Sequence, residues 1–206
     1  MQGKQTLIAP TVDIPPRRRL PRQERTRQLL DVAWNLIGDE GTDALTLGQL
    51  AKAAGVAKPV VYDHFGTRNG LLATLYQDFD ARQTAIIDAA IAASKPTLKD
   101  KARVIASCYV ECVLTQGREI PGVLAALNGS PELIAIKRQY QHAFIEKCQC
   151  ILAPFSGPQG VSTASLWAML GAANALSNAA AAGEITEEQA RDELLQTILA
   201  MVKRSK

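Results

Sequence analysis

The chain has 206 residues, 47% hydrophobic and 21% charged, which fits a globular protein with a real core and is short for a multi-domain enzyme. Aromatic residues make up only 5% while Ala and Leu recur throughout, a balance that favours helices because both lose little side-chain freedom on entering one. The net charge of +3 falls within residues 1–70, which hold ten Lys and Arg against seven Asp and Glu; residues 71–206 hold thirteen of each.

Residues 1–20 read as a disordered basic arm, interrupted by Pro10, Pro15 and Pro16 and lacking any apolar period. Arg17, Arg18, Arg19, Arg22, Arg25 and Arg27 form a positive run at its end. Taken alone, such a run is a solvated tail as readily as a phosphate contact. From Arg22 to Glu40, Leu29, Leu30, Ala33, Leu36 and Ile37 recur at helical spacing, and Gly41 marks the stop. Thr46 with Gln49 reads as a capping box opening a short second helix that Gly55 closes. A third runs from about Lys58 to His64, with Pro59 in the first turn, where a missing N–H costs nothing; Gly66 ends it.

Thr67 can cap a long fourth helix from Arg68 to about Ala93, lined on one side by Leu71, Leu72, Leu75, Tyr76, Phe79 and Ile86. Lys95-Pro96 breaks it, and Thr97 with Asp100 opens a helix through Gln116, followed by a short one around Pro121 to Leu127. Ser130-Pro131-Glu132 supplies an N-cap, a favoured first residue and an acid at the positive dipole end of a helix reaching about Leu152. After the loop at Pro154–Gly160 comes an uncharged helix over 161–182. Thr186 with Gln189 then caps the last helix, which ends in Lys203, Arg204 and Lys206. No strand or internal repeat is legible, so the expected fold is all-α with about nine helices.

No charged residue occurs from Cys148 to Gly183, but Pro154, Gly157, Pro158 and Gly160 break that stretch, and its second part is rich in Ala, Ser and Asn. A helix buried against protein fits better than one in lipid, so no membrane partner is expected. No apolar run precedes the basic cluster, and a cytoplasmic location is expected. Cys108, Cys112, Cys148 and Cys150 form no CxxC pair and join no histidine at zinc spacing. They read as reduced, buried thiols, with a cysteine-based redox sensor as the alternative. No metal or other cofactor is implied.

A helix-turn-helix needs a short helix, a tight turn containing Gly, and a second helix that projects side chains into the major groove. Thr46 to Val56 offers the first two parts: Leu50, Ala53 and Ala54 can pack inward, Gly55 permits the positive φ of the turn, and Val56 fills the space between the helices. Lys58 to His64 is then the exposed reader. The stretch from Arg27 to Leu72 resembles the N-terminal domain of the TetR family of bacterial repressors. The matching pieces are the first helix with its trailing Asp39-Glu40-Gly41, Thr46 opening the second, and Gly55-Val56-Ala57-Lys58-Pro59-Val60-Val61-Tyr62-Asp63-His64-Phe65. The Tyr-x-His-Phe ending is the most specific element, and Thr67-Arg68-x-x-Leu71 follows where the family usually has Ser-Lys-x-x-Leu. Ala57 departs from the usual Ser cap, and Gly70 stands where an acid is common.

The resemblance implies roles. Thr46 would meet phosphate with its hydroxyl and helix N-terminus, and Tyr62 and Arg68 would hold phosphates across the groove. Lys58 is the candidate base-edge donor, Pro59 and Val60 could touch thymine methyls, and Asp63 could accept from cytosine or keep the helix off wrong sequences. His64 reads equally as a phosphate contact or as packing; Phe65 reads as core. The arm with Arg17, Arg18, Arg19 and Arg22 could reach a phosphate or the minor groove.

Residues 21–67 would thus form the DNA-binding domain. By resemblance, residues 68–206 form a ligand-sensing and dimerisation domain, in which the last two helices pair with those of a second copy. Small residues at Ala168, Gly171, Ala172 and Ala175, and an apolar stripe at Leu194, Leu195, Ile198, Leu199 and Val202, fit a homodimer interface, the plain alternative being an intrachain core. Tyr109, Cys112, Phe144, Trp167 and Asn174 are candidates to line a pocket for a largely apolar small-molecule effector. With no nucleophile–base pair, clustered carboxylates or phosphate loop, no catalytic residue is assigned. The expected activity is a regulator of double-stranded operator DNA, a repressor released by ligand; the alternative is DNA binding without small-molecule control.

Overall fold

A computed structural model describes residues 20–115 and 119–205 and contains nine α-helices and no strand among them. In chain order these are α1 (Arg22–Glu40), α2 (Leu47–Ala53), α3 (Lys58–Phe65), α4 (Arg68–Ala93), α5 (Leu98–Thr115), α6 (Glu119–Ala126), α7 (Pro131–Leu152), α8 (Thr163–Ala181) and α9 (Glu187–Arg204). Arg17, Arg18 and Arg19 lie outside the described residues. Single 3-10 turns at Thr42–Ala44 and Ala153–Phe155 are too short to leave a period in the sequence. Among the described residues no helix is long and apolar enough to cross a membrane.

Local chemistry explains most helix starts. Thr46, Thr67, Ser130 and Ser162 each accept a backbone N–H with the side-chain oxygen, and Pro131 follows its cap in the first turn. The full reciprocal box forms at α9, where the Thr186 side chain accepts from the Gln189 N–H and the Gln189 side chain accepts from the Thr186 N–H at 2.8 Å. Burial refines two sequence assignments. On α4 Ile87 is buried while Ile86 is 53% exposed. On α2 Ala51 is buried and Ala53 faces solvent.

Two apolar cores result. The first gathers Leu29, Leu30, Ala33, Trp34 and Ile37 of α1, Leu47 and Leu50 of α2, and Val61 and Phe65 of α3. It continues through Leu71 to Phe79 of α4, Val123 of α6, Leu127 and Leu133. The second joins α5, α7, α8 and α9 around Ile105, Val110, Leu152, Leu166, Met169 and Ile198. Helices α4 and α7 run from one core to the other: Leu75 and Leu133 sit in the first, while Ile91 and Ile145 pack in the second.

Most of the α9 stripe faces the chain's own core. Leu194, Leu195, Ile198 and Val202 are buried within the chain, where α9 packs against α5 and α8, so they have no surface left for a partner. The small residues behave differently: Ala168, Gly171 and Ala175 of α8 are exposed, and Ala172 and Leu199 are half-buried.

Candidate nucleic-acid interface and an internal cavity

The turn between α2 and α3 is built as its sequence requires. Gly55 takes φ +64°, and the Val56 N–H reaches back to the Ala51 carbonyl at 3.0 Å while its side chain packs on the first core. Ala57 caps α3 without a side-chain bond. Val61 and Phe65 anchor α3 inward at 0% and 7% exposure, which turns Lys58, Pro59, Tyr62 and Asp63 outward. Residues spaced this way share one face of a helix. Val60 is half-buried beside them. The stem of Lys58 passes over Gly48 of α2, 3.9 Å from where a Cβ would stand.

Thr46 is exposed at the start of α2, and its Oγ1 accepts the Gln49 N–H at 3.1 Å. A hydroxyl can accept and donate at once, so its proton stays available for an incoming oxygen. Tyr62 is 53% exposed and suited to the same task.

Three other candidates already have partners within the chain. Arg22 grips Asp63 with two nitrogens, one at 2.7 Å from the carboxylate and one at 3.0 Å from the backbone carbonyl, so two residues expected at DNA face each other. His64 lies half-buried with Nδ1 2.8 Å from the Thr26 hydroxyl of α1. Burial and the charge of Arg22 push its pKa below the usual histidine value, against an opposing pull from Asp63. Arg68, expected to hold a phosphate, instead donates from Nε to the Leu45 carbonyl at 2.9 Å and from one Nη to the Thr42 carbonyl at 2.8 Å. Its fork bridges the start of α4 to the turn before α2. The sequence reading missed Thr26 and the carbonyls of that single turn, which carry no periodic signal.

Thr42 is also where α6 arrives. A Cβ placed on Gly122 would stand 2.4 Å from Thr42 Oγ1, so only glycine allows this approach. Farther along, α6 and the loop after it contribute Leu124, Ala125 and Asn128 to a cavity of about 430 Å³ between α4, α5, α7 and α8. Four expected lining residues are there: Tyr109, Cys112, Phe144 and Asn174. Trp167 does not line it. Its ring turns to the outside of α7, edge-on to His142 at 5.2 Å and 6.0 Å from the Arg138 guanidinium. The sequence reading also missed Tyr76, Asp80 and Tyr140, which do line the cavity.

The cavity is apolar at its aromatic walls and polar between them. Tyr109 donates to Asn174 Oδ1 at 3.0 Å, and Asn174 donates to the Leu170 carbonyl at 3.0 Å. Burial pushes the thiols of Cys112 and Cys148 up to about 12 and raises that of Cys108. A thiol so far from ionising is a poor redox sensor. Cys150 is exposed. Among the described residues no group of His, Cys, Asp and Glu is arranged to hold a metal ion.

A model of bacterial regulatory proteins of the tetR family matches residues 29–75, which spans α2, α3 and the turn between them. Over 63 residues the chain is 44% identical to the HTH-type transcriptional activator FasR of Mycolicibacterium smegmatis, covering 30% of this chain and 29% of that one. Over 124 residues it is 30% identical to the nucleoid occlusion factor SlmA of Actinobacillus pleuropneumoniae, covering 60% and 57%. The chain therefore spans less than two thirds of either relative. The fold is similar to that of a transcriptional regulator from Rhodococcus sp. Rha1, with a TM-score of 0.72 at 16% identity over 87% of this chain and 96% of the other.

Proposed function

The chain belongs to the TetR family of bacterial regulatory proteins, and we propose on that premise that it is a sequence-specific transcriptional regulator of double-stranded operator DNA. The observation that carries this reading is the outward face of α3. Lys58, Pro59, Tyr62 and Asp63 stand clear of the core beside the exposed Thr46 hydroxyl. Thr46 and Tyr62 position the protein on phosphates, Lys58 reads a base edge, and Pro59 and Val60 meet thymine methyls. Residues 21–67 carry the reader, residues 68–206 sense and dimerise, and the arm over 1–20 adds positive charge to the duplex.

The working unit is a homodimer, because two readers on a two-fold axis can engage half-sites about one helical turn apart. The exposed Ala168, Gly171 and Ala175 of α8 fit the close approach of a second copy. The protein acts as a repressor, and a small, largely apolar ligand in the cavity releases it by favouring a spacing of readers that DNA does not. Helix α4 is the lever, since it enters both cores and the cavity wall.

Fluorescence anisotropy with labelled DNA from upstream of the gene tests the reading. Tight, salt-dependent binding that random duplex does not compete away supports it; equal binding to both overturns it. The Lys58→Ala variant is expected to relax discrimination at one base position by about 1–3 kcal/mol, and unchanged preference would remove Lys58 as a reader.

A further inference from the structure

The wall of the cavity carries a single carboxylate, Asp80. Asp80 is half-buried on α4 at the cavity wall and, among the described residues, forms no ion pair. Both lysines at the wall are engaged elsewhere: Lys147 pairs with Asp88, and Lys137 donates to the Asn128 side chain at 3.1 Å. Its near neighbours are aromatic. Tyr76, Tyr140 and Cys112 line the same cavity as Asp80, and its charge raises the pKa of each. Tyr76 and Tyr140 meet edge to face at 5.2 Å, and the Tyr109–Phe144 pair, 5.4 Å apart, forms more of the wall.

We propose that this cavity binds an organic cation, a quaternary ammonium or protonated amine with an apolar body, whose positive head sits against Asp80 beside Tyr76 and Tyr140. The assignment rests on the reading of the cavity as the effector site and adds the charge of the ligand to it. Aromatic faces attract cations, and a carboxylate withdrawn from water gains from a partner it otherwise lacks. A neutral ligand would complete the desolvation of Asp80 without neutralising its charge. An anion would meet Asp80 directly, and Lys147, one of the two lysines at the wall, is already paired with Asp88. In the empty cavity burial already raises the Asp80 pKa, with Lys147 pulling it back, which fits a carboxylate waiting for a counter-charge. At about 430 Å³ the cavity suits a ligand of ordinary small-molecule size.

Three probes with one apolar chain separate the head groups: decyltrimethylammonium, decanol and decanoate, each titrated calorimetrically into the full-length protein below its micelle concentration. The cation is expected to bind at least about tenfold more tightly than the alcohol, with the carboxylate weakest. Asp80→Asn, nearly the same shape without the charge, should bring the cation to within about twofold of decanol without lowering the thermal midpoint. Decanol or decanoate binding the wild-type protein as tightly as the cation overturns the proposal, as does an Asp80→Asn protein that keeps the preference. The same probes added to the protein–DNA complex keep the two readings apart. Asp80-dependent cation binding that leaves DNA bound sinks ligand release and keeps the site assignment. Release by decanoate alone does the reverse.

Discussion

The outer face of α3 and the cavity between α4 and α7 handle polar groups in opposite ways. At the α3 face, charge stands in water: Asp63 and its α1 partner Arg22 are 69% and 66% exposed, and Lys58 and Tyr62 project freely. Around the cavity, burial raises the pKa values of Asp80, Tyr76, Tyr109 and Cys112. Exposed charges act at a distance and are screened by salt, which suits a polyanion approached from solution. Desolvated groups discriminate at contact, which suits a small ligand enclosed by protein. The two surfaces share a frame. Helix α6 touches Thr42 through Gly122 and the cavity through Leu124 and Ala125, and Arg68 ties the Thr42 and Leu45 carbonyls to α4.

The largest test asks whether the two regions are one folding unit. Leu75 and Ile198 are fully buried, one in each core, and Leu75→Ala or Ile198→Ala should each lower stability by about 2–5 kcal/mol. Because α4 and α7 pass through both cores, each loss is expected to shift a single transition. Trp34, in the first core, and Trp167, beside the second, report the halves separately in Trp167→Phe and Trp34→Phe backgrounds. Coincident urea curves are expected; a first core that outlasts the second in Ile198→Ala would show independent units.

Arg68 comes next. Arg68→Ala leaves two carbonyls without their charged donor and should cost about 1.5–3 kcal/mol. Arg68→Lys separates the two roles considered for this residue. It keeps the positive charge, but an ammonium lacks the planar fork that spans both acceptors. If Arg68 acts as a strut, thermal stability falls in the lysine variant nearly as far as in alanine. If it acts as a phosphate contact, DNA affinity survives in lysine and stability is unmoved.

Gly122 probes the link itself. Gly122→Ala forces the new methyl against Thr42 Oγ1, and such overpacking costs about 1–3 kcal/mol, set against a gain in helix propensity of about 1 kcal/mol. Thr42→Ala removes the obstructing oxygen, so the double variant should recover most of the loss, as measured by thermal unfolding. A loss that the second change leaves untouched would mean that the contact between α6 and the turn is not the cause.

What could be read from the sequence divides along the same line. Caps such as Thr67, Ser130 and Thr186 were legible because a cap is settled within four residues of chain. The α3 motif was legible for the same reason. The apolar stripe of α9 was visible, but a stripe does not say which surface it meets, and Leu195, Ile198 and Val202 meet α5 and α8. Trp167 was taken for a pocket residue because it lies on an uncharged helix, while its partners, Arg138 and His142, sit four residues apart on α7. Asp78 and Asp80 look alike in sequence. Two positions apart on a helix they point to nearly opposite sides, so Asp78 pairs with Arg27 and Arg82 while Asp80 turns to the cavity.

The smallest effect concerns Arg22 and Asp63. Both are exposed, so breaking their pair with Asp63→Asn should change stability by no more than about 1 kcal/mol. DNA binding gives the sharper readout. If Asp63 serves to hold Arg22 against α3, its loss frees a guanidinium and removes a negative charge from the reading face, so affinity rises for all sequences and the salt dependence steepens. If Asp63 accepts from a cytosine, Asp63→Asn instead relaxes preference at one base position. Anisotropy titrations over a salt series, on operator and on single-base variants, distinguish a uniform gain from a local loss. A uniform gain would show that even the exposed surface keeps some of its charge occupied until DNA arrives, and so narrow the contrast with the cavity to one of burial alone.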